Sequence, residues 1–398
     1  MSSVMVLSVP FLAHAQDKSD ISNVSVSPTE ATAAALYQVV LDQKLNEASS
    51  WKGKNVTVEP PIAVYDASDD LNSYIVNLDV DNKPAGYVEV ANNEDDFPIL
   101  SFGYQNQQMN SLEVDSLRTK ANKKEKKSEK VVVLAPGKFA LKSDYVDGSA
   151  EITSKDETLS LDNKHNKPIA KIKKSVNTDS KIAWGKIKKI TAGEIGTTSD
   201  GVTDSLSFET GTSSSVYYSG VGDVNQYTNS LWSGPSGCSP TSAYNVMYYW
   251  QNTKGKSNLG TANQDSAILA LRKAMGTNNN GGTSTSNIGS GMNTYAQNHG
   301  YLLSTASNHY APSWSQVKSD LASNPSVISF QGQTYYDASD LSGAHTVAGV
   351  GYIEYFYSGS SSGHQYMEIH DNWGTTPTNV YVAYGRNYTN LWSVSFSM

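Results

Sequence analysis

The feature that most constrains this 398-residue sequence is the uneven distribution of its charged residues. Residues 215–398 contain 6 of the 30 Lys and Arg residues and 8 of the 38 Asp and Glu residues. The same segment contains 18 of the 24 tyrosines and 5 of the 7 tryptophans. Because a chain of this length commonly forms two or three domains, the contrast predicts a charged N-terminal part and a nearly neutral, aromatic C-terminal domain, without a single common core.

The composition also excludes several classes of function. A net charge of −8 at pH 7 argues against binding to a phosphate backbone, so we expect no nucleic-acid partner. The single cysteine, Cys238, excludes an intramolecular disulfide and any multi-cysteine zinc or iron–sulfur site. We expect no metal or cofactor, and no Asp-rich loop has EF-hand spacing, although the sequence leaves calcium binding open.

Residues 1–15 have two features of a secretory signal peptide. Residues 4–12 are mostly apolar, and Ala13, His14 and Ala15 have the small-x-small form of a signal-peptidase site. No Lys or Arg precedes the apolar stretch, so either the true start lies upstream or the segment is a buried core element. No other stretch reaches the ~18 apolar residues of a membrane span. We therefore expect an exported, extracellular bacterial protein whose mature form has no membrane association.

Residues 24–145 are predicted to form a small α+β domain. Ser27, Pro28 and Glu30 provide a capping box with proline at the first helical position, which predicts a helix to about residue 47. Apolar segments separated by turn-forming residues predict antiparallel strands at residues 62–65, 73–80, 86–91 and 99–102. Residues 131–134 and 139–141 are candidates for further strands. The pattern predicts a helix packed on an antiparallel sheet.

Residues 146–215 are predicted to be a polar linker. Lysines crowd residues 118–130, which indicates a solvated connection or a charged helix, with a basic arm for an anionic surface as the alternative. Residues 175–215 are rich in Lys, Thr, Gly and Ser without an apolar period. Because such segments are accessible to proteases, we expect the maturation site there.

Cys238 follows a glycine-rich turn and begins a segment with helical spacing. Ala243, Val246 and Trp250 form an apolar stripe that is typical of a core-facing helix. A thiol at a helix N-terminus lies at the positive end of the helix dipole, which favours the nucleophilic thiolate. Cys238 is therefore a candidate nucleophile, and a packed core cysteine is the alternative.

A cysteine nucleophile needs a base and a group that orients that base. His345 is the candidate base because it lies in a predicted strand, residues 343–352, among small residues that let a substrate approach. Asp371 ends a second predicted strand and is the candidate to orient His345. His370 is a rival base, but strand alternation turns it away from the face of Asp371. A structurally satisfied histidine is the alternative for His345.

The order of these residues resembles the papain-like cysteine peptidases. A cysteine is followed by a remote His-x-Val-x-x-Val-Gly-Tyr sequence and then by acid-x-Trp-Gly. The Cys-x-Pro-Thr-Ser sequence resembles their bacterial branch, which is related to bacteriocin-processing peptidases and streptopain. The resemblance covers about residues 216–398. It implies an α+β fold in which a papain-like catalytic domain combines an N-terminal helical part with an antiparallel β part.

The resemblance implies a role for each matched residue. Cys238 matches the nucleophile, His345 the general base and acid, and Asp371 the position often filled by asparagine. An aspartate there would favour the imidazolium form of His345 more strongly than asparagine does. Trp373 matches the aromatic residue that shields the pair formed by the histidine and its orienting group. Gln226 is the candidate oxyanion-hole glutamine, with the Cys238 backbone N–H as second donor.

The sequence says less about the substrate-binding residues than about the catalytic candidates. Gly237 and Ala344, small residues beside the nucleophile and the base, are candidate substrate-binding positions. Further candidates for the cleft lining, with ordinary surface packing as the alternative, are the polar loop at residues 278–286, Trp314, Tyr335 and Tyr336. Low charge and many tyrosines suit an extended peptide.

The N-terminal sequence resembles the inhibitory propeptide that precedes streptopain-type peptidases. The resemblance lies in the capped helix and in the sequence Tyr-Asp-x-x-x-x-Leu-Asn-Ser-Tyr-Ile-Val-Asn-Leu that follows it. A prodomain held by a linker has a high effective concentration and can block the cleft until the linker is cut. The resemblance implies a secreted cysteine endopeptidase made as an inactive zymogen, with a peptide or protein substrate and its own prodomain as partners. The alternatives are a cell-wall peptide amidase or transpeptidase with the same triad and a non-enzymatic surface-binding module.

Overall fold

The computed structural model describes residues 26–66, 69–135, 138–154, 158–161, 178–192, 197–198, 201–202, 211–331, 344–356, 363–374, 376–386, 388 and 390–398. We call residues 26–192 the N-terminal unit and residues 211–398 the C-terminal unit. The elements of the N-terminal unit are α1 (Pro28–Leu45), β1 (Val56–Val58), β2 (Ile62–Tyr65), β3 (Leu71–Val80), β4 (Lys83–Ala91), β5 (Ile99–Tyr104), α2 (Ser111–Lys120), β6 (Lys126–Ala135), β7 (Lys138–Tyr145), β8 (Ala150–Thr153), β9 (Thr158–Leu161) and α3 (Thr178–Thr191).

A short hairpin of β10 (Thr197–Thr198) and β11 (Gly201–Val202) lies between the two units in the chain. The C-terminal unit also has a 3-10 turn at Ser257–Leu259. Its other elements are β12 (Thr212–Tyr217), β13 (Thr228–Asn229), β14 (Trp232–Pro235), α4 (Cys238–Asn252), α5 (Gln264–Met275), α6 (Asn287–Asn298), β15 (Thr305–Tyr310), α7 (Trp314–Ser323), β16 (Ser326–Gln331), β17 (His345–Phe356), β18 (His364–His370), β19 (Val380–Ala383) and β20 (Asn390–Ser397). No helix in the described residues is long and apolar enough to cross a membrane.

The helix α1 begins at the predicted capping box. The Glu30 N–H donates to the Ser27 side chain, and the Ser27 N–H donates to the Glu30 carboxylate at 2.7 Å. The reciprocal bonds satisfy two backbone donors that the first turn leaves unpaired. The helix packs on β3, β4 and β5, so the predicted helix on an antiparallel sheet is confirmed as local structure.

The structure corrects the prediction of a polar linker over residues 146–215. Strands β8, β9 and β12 and the helix α3 lie within that range. In α3, Ala183, Trp184 and Ile187 are buried in the core shared with α1, and the Trp184 indole N–H donates to the Asp96 carbonyl at 2.8 Å. These three side chains form a short apolar stripe that the surrounding lysines conceal in the sequence. The crowded lysines of residues 118–130 likewise end α2 and begin β6 instead of forming a solvated connection.

The two units share one sheet and one core, which differs from the expectation that no common core exists. Sixteen strands of the described residues form a single sheet, in the order β15, β20, β16, β17, β18, β19, β5, β4, β3, β2, β6, β7, β8, β9, with β1 on β3 and β12 on β17. Strand β5 of the N-terminal unit pairs antiparallel with β19 of the C-terminal unit. Phe102 on β5 stacks on Tyr381 on β19 with ring centroids 4.5 Å apart. The aromatic residues of the neutral half therefore pack against the charged half.

The C-terminal unit combines helices with an antiparallel sheet, as predicted. Helices α4, α5 and α6 bury apolar side chains against one face of β16, β17 and β20, including Val327, Ala348 and Val394. Helix α7 covers the other face, where Val317 and Leu321 pack with Val347. The N-terminus of α4 and the start of β17 meet within this arrangement, and they carry the candidate nucleophile and base.

Candidate active site

The helix α4 begins at Cys238, as predicted. Gly237 precedes it with φ +86°, and a Cβ at this position would lie 2.5 Å from the Gly281 carbonyl oxygen, so only glycine fits. The Thr241 hydroxyl donates to the Gly237 carbonyl at 2.7 Å and fixes the first turn. Cys238 is partly exposed and is not in a disulfide. The thiol is therefore accessible at the positive end of a helix dipole.

Arg272 on α5 fixes the turn that precedes the cysteine. The side chain is 5% exposed, and its guanidinium donates to the carbonyls of Pro235 at 2.7 Å, Ser236 at 2.8 Å and Asn278 at 2.8 Å. Burial lowers its pKa. Arg272 was not among the residues predicted from the sequence, although an arginine on the otherwise apolar face of α5 is a signal that points to it. Arg272 joins the turn before Cys238 to the polar loop that was predicted at residues 278–286.

His345 lies at the first position of β17, close to the first turn of α4. The Ser239 hydroxyl donates to the Thr346 hydroxyl at 3.0 Å, and the Ser242 hydroxyl donates to the Thr346 carbonyl at 2.9 Å. Because Thr346 follows His345 and Ser239 follows Cys238, these bonds bring the end of β17 that carries the candidate base to the end of α4 that carries the candidate nucleophile. His345 is 4% exposed.

Asp371 contacts His345 through its main chain. The His345 Nε2 lies 2.8 Å from the Asp371 carbonyl oxygen, and the Trp373 ring stacks on the imidazole with centroids 4.6 Å apart and planes 16° from parallel. A carbonyl oxygen only accepts, so Nε2 carries the proton in this contact. The predicted neighbours of His345 are thus present, but a carbonyl takes the orienting position that was predicted for the carboxylate.

The Asp371 side chain fixes the loop that follows β18. Its Oδ1 accepts from the Trp373 N–H at 3.0 Å and from the Thr376 hydroxyl at 2.7 Å, while Oδ2 is buried with no hydrogen-bond partner among the described residues. Burial raises the pKa of Asp371 to about 8, and the nearby Asp223 carboxylate also raises it. The expectation that an ionised Asp371 favours the imidazolium is therefore corrected, because a carboxyl with this pKa is mostly protonated at pH 7.

His370, the rival base, is occupied by structural contacts. Its Nδ1 lies 2.7 Å from the Gly222 carbonyl oxygen and its Nε2 lies 3.0 Å from Asn379 Oδ1. The residue is buried. Both ring nitrogens face protein acceptors, so His370 holds the segment at Gly222 in place and is not available to Cys238.

Gln226 lies between the Asp371 loop and the turn that precedes the cysteine. Its N–H donates to the Asn372 carbonyl at 3.1 Å, and the Ser236 N–H donates to the carbonyl of the next residue, Tyr227, at 2.8 Å. The hairpin of β13 and β14 lies between Gln226 and Cys238 in the sequence. It returns the chain from Tyr227 to Ser236, next to the turn that precedes the cysteine. The long separation from the cysteine is therefore compatible with the position of an oxyanion donor.

The structure brings some of the substrate-binding candidates to this site and not others. Gly237 and Ala344 directly precede the candidate nucleophile, Cys238, and the candidate base, His345. Trp314 packs against Tyr352 and Tyr384, with centroids 5.9 and 5.4 Å apart, and Tyr352 is about 20 Å along β17 from His345. Tyr335 and Tyr336 lie outside the described residues. Within the described ranges, no group of three or more His, Cys, Asp or Glu side chains is placed to hold a metal ion.

Comparison with known proteins points to the class of this site. The family model described as Peptidase_C39 like family matches residues 218–395, which contain Cys238, His345 and Asp371. The match supports the papain-like cysteine peptidase superfamily and points to a cysteine peptidase, which is a hydrolase. No curated protein matches the chain.

Proposed function

We propose that the protein is a secreted cysteine endopeptidase made as an inactive zymogen, with Cys238, His345 and Asp371 as its catalytic group. The observation that carries this proposal is the arrangement at His345. Its Nε2 is held by the Asp371 carbonyl, its face is covered by Trp373, and its strand is bonded to the first turn of α4. A base fixed in one tautomer beside a helix-terminal thiol is the arrangement that thiol hydrolysis requires.

The chemistry follows from these positions. The Cys238 thiolate attacks the carbonyl carbon of a peptide bond, and the Cys238 N–H and the Gln226 side chain stabilise the oxyanion. Imidazolium His345 gives its proton to the leaving amine as the C–N bond breaks. Water then attacks the thioester with His345 as base, which releases the acid product and restores the thiolate.

The packing of the N-terminal unit supports its role as an intramolecular inhibitor. A Cβ at Gly103 would lie 2.9 Å from the Pro377 ring and 3.0 Å from the Tyr87 ring, so β5 packs closely on the loop that follows Asp371. Burial raises the pKa of Tyr87, and the Glu89 and Asp371 carboxyls raise it further, which places Tyr87 near Asp371. An N-terminal unit in this position restricts the loop that orients His345.

The proposed partners are a peptide or protein substrate and the protein's own N-terminal unit. The low charge of the C-terminal unit suits main-chain recognition of an extended peptide. Nucleic acid is not a proposed partner, and no membrane association is proposed for the mature form. Extracellular localisation is proposed from the signal-like residues 1–15, which lie outside the described residues.

Self-processing tests this function directly. Intact mass and N-terminal sequencing are followed over time for the wild type and for Cys238→Ala. We expect the wild type to cut itself between residues 175 and 220, while Cys238→Ala stays at full length. The proposal fails if both stay intact and if the protein, after an added protease has digested the N-terminal unit away, neither cleaves casein nor reacts with an epoxide thiol inhibitor.

A pair of histidine variants separates the two candidate bases. His345→Gln is expected to lower kcat by about 1,000-fold or more, because the proton-transfer group is lost. His370→Gln is the matched control, and it is expected to retain kcat within about tenfold, because both His370 nitrogens serve structural contacts. The opposite ranking would assign the base to His370.

A further inference from the structure

Asn372 is a fully buried residue whose polar contacts reach three different segments. Its Nδ2 donates to the Ser242 hydroxyl on α4 at 2.8 Å and to the Thr346 carbonyl on β17 at 2.9 Å. Its Oδ1 accepts from the Asn245 Nδ2 at 3.2 Å, and its carbonyl accepts from the Gln226 N–H at 3.1 Å. One side chain and its own carbonyl therefore join the nucleophile helix, the base strand and the segment of the oxyanion donor.

Each of these contacts adjoins a group of the proposed reaction. Ser242 lies one turn after Cys238, and its hydroxyl is 2.8 Å from the Cys238 carbonyl. Thr346 directly follows His345 in the chain. We propose that Asn372 is a positioning residue that sets the relative placement of the nucleophile, the base and the oxyanion donor. This inference rests on the proposed function.

The backbone at this position explains why the residue is an asparagine. Asn372 has φ +64°, in the left-handed region, which asparagine enters more readily than most residues other than glycine. This turn lets the Asp371 carbonyl face His345 while the next side chain faces α4. Glycine would adopt the backbone but has no side chain, and aspartate has no amide donor. Only asparagine combines this backbone with the donor and acceptor that the junction uses.

Asn372 acts through other residues. Its hydrogen bonds are with the side chains of Ser242 and Asn245, the Gln226 N–H and the carbonyls of Thr346 and Cys238, none of which is a reacting atom. Removing the amide leaves the Thr346 carbonyl and the Ser242 hydroxyl with fewer donors in a buried place, and the strand and helix can then shift relative to each other. A misplacement of about 1 Å is enough to lower a rate by roughly 100-fold.

The test compares Asn372→Gly with a matched control at another left-handed asparagine. Asn82 has φ +59° in the exposed turn between β3 and β4, so Asn82→Gly makes the same replacement far from the site. For Asn372→Gly we expect kcat to fall about 100-fold with KM changed less than about threefold. Because Cys238 is the single cysteine, its alkylation by iodoacetamide reports this thiol alone, and we expect its pH profile to move to higher pH. Asn82→Gly should change neither.

A second route to the same junction does not depend on a variant at position 372. Ser242→Ala removes the hydroxyl that accepts from Asn372, and we expect smaller changes of the same sign in kcat and in the alkylation profile. In the double variant, the loss should be smaller than the product of the single losses, because both changes break one junction. Asn372→Asp keeps the shape of the side chain and the left-handed backbone but removes the amide donor. Thermal unfolding of each variant shows whether a lower rate comes from misplaced groups or from loss of the fold.

The outcomes distinguish this inference from the proposed function. Unchanged kcat and alkylation profile in a folded Asn372→Gly or Asn372→Asp variant would overturn the positioning role. The positioning role would also be overturned if Ser242→Ala changed neither kcat nor the alkylation profile. It would equally be overturned if the loss of kcat in the double variant equalled the product of the two single losses. If the wild type hydrolyses no peptide but the alkylation profiles still separate as expected, the proposed function fails and the junction stands.

Discussion

Asp371 illustrates, at the scale of one residue, how burial changes what a side chain can do. The sequence places a carboxylate where an orienting group is needed, and in water it would be ionised at pH 7. In the fold, burial raises the pKa of Asp371 to about 8, and its main-chain carbonyl contacts His345. The side chain then serves as a neutral acceptor that shapes the loop through the Trp373 N–H and the Thr376 hydroxyl.

A neutral Asp371 predicts that Asp371→Asn is well tolerated at low pH. Because the protonated acid and the amide have the same charge and nearly the same shape, kcat/KM near pH 6 should stay within about threefold of the wild type. The folded-state pKa is raised, so the wild type ionises only as the pH rises towards about 8, and its profile should change there. The variant should lack that change. The measurement is kcat/KM against pH for both proteins.

Asp371→Ala is the control for the acceptor role. It removes the oxygen that binds the Trp373 N–H, so activity should fall at every pH. A loss of about 100-fold or more in Asp371→Asn near pH 6 would contradict the neutral assignment, because it would mean that the charge itself is needed.

Helix α5 shows, at the scale of an element, how a distant segment holds the turn that precedes the candidate nucleophile, Cys238. Its Arg272 supplies donors to three backbone carbonyls, two of which belong to the turn before Cys238. In the described part of the chain no carboxylate is paired with this guanidinium, so the buried charge is satisfied by carbonyl oxygens. The first turn of α4 therefore depends on an element more than 25 residues further along the chain.

Arg272→Met tests this dependence. Methionine keeps much of the apolar volume but leaves the carbonyls without donors, so the free energy of unfolding should fall by about 3 kcal/mol. Lys273→Met is the matched control, since Lys273 is the next residue and is exposed, and it should change stability by less than about 0.5 kcal/mol. Chemical denaturation measures both. Equal stabilities for the two variants would show that the arginine bonds do not stabilise the turn.

The whole molecule is held together by a sheet and a core that cross the boundary between the two units. Asp42 on α1 lies at this boundary, fully buried, and accepts from Tyr104 of its own unit and from Tyr355 of the C-terminal unit at 2.5 Å. Burial raises the pKa of Asp42, and the hydrogen bonds to it act in the opposite direction. Separation of the units would expose this carboxyl, the stacked pair of Phe102 and Tyr381, and the edge of β19.

We therefore expect the two units to stay associated after the connecting segment is cut. Size-exclusion chromatography of the cut protein should show both pieces in one peak, because the β5–β19 pairing and the shared core remain. Tyr355→Phe, which removes one donor to Asp42, should increase the separated fraction. Complete separation of the wild-type pieces under native conditions would show that the chain connection is what holds them.

A second buried carboxyl near this boundary makes stability depend on pH. Burial raises the pKa of Glu368 to about 8, and its Oε1 accepts from the Tyr381 hydroxyl and the Asn379 Nδ2, both at 2.9 Å. The unfolded-state value is near 4.5, so the stabilising effect is full below that pH and is lost as the pH rises to about 8.

Glu368→Gln should remove this contribution to the pH dependence. The amide oxygen can still accept from Tyr381 and Asn379, and no proton is released, so the melting temperature should fall less between pH 4.5 and pH 8 than in the wild type. Thermal unfolding across this range measures the difference. Parallel curves for the two proteins would mean that Glu368 does not titrate in the folded state within this window.

The sequence by itself determined the local elements and indicated the candidate reactive groups. The capping box at Ser27 started α1, the alternating segments became β2 to β5, and the glycine turn with an apolar stripe started α4 at Cys238. These features depend on residues within a few positions of each other, where spacing and turn chemistry carry the information. The order of cysteine, histidine and aspartate likewise depends on the chain alone.

Only the tertiary structure decided how these groups meet. Asn372 and Arg272 each donate hydrogen bonds to segments that are distant in the sequence. The raised pKa of Asp371 likewise depends on the burial that folding produces. The same holds for the pairing of β5 with β19, which merges two regions of opposite composition. A local pattern shows which face of an element is apolar, but it does not show which other face covers it. Partners and desolvation, which set these contacts and pKa values, exist only once the chain has folded.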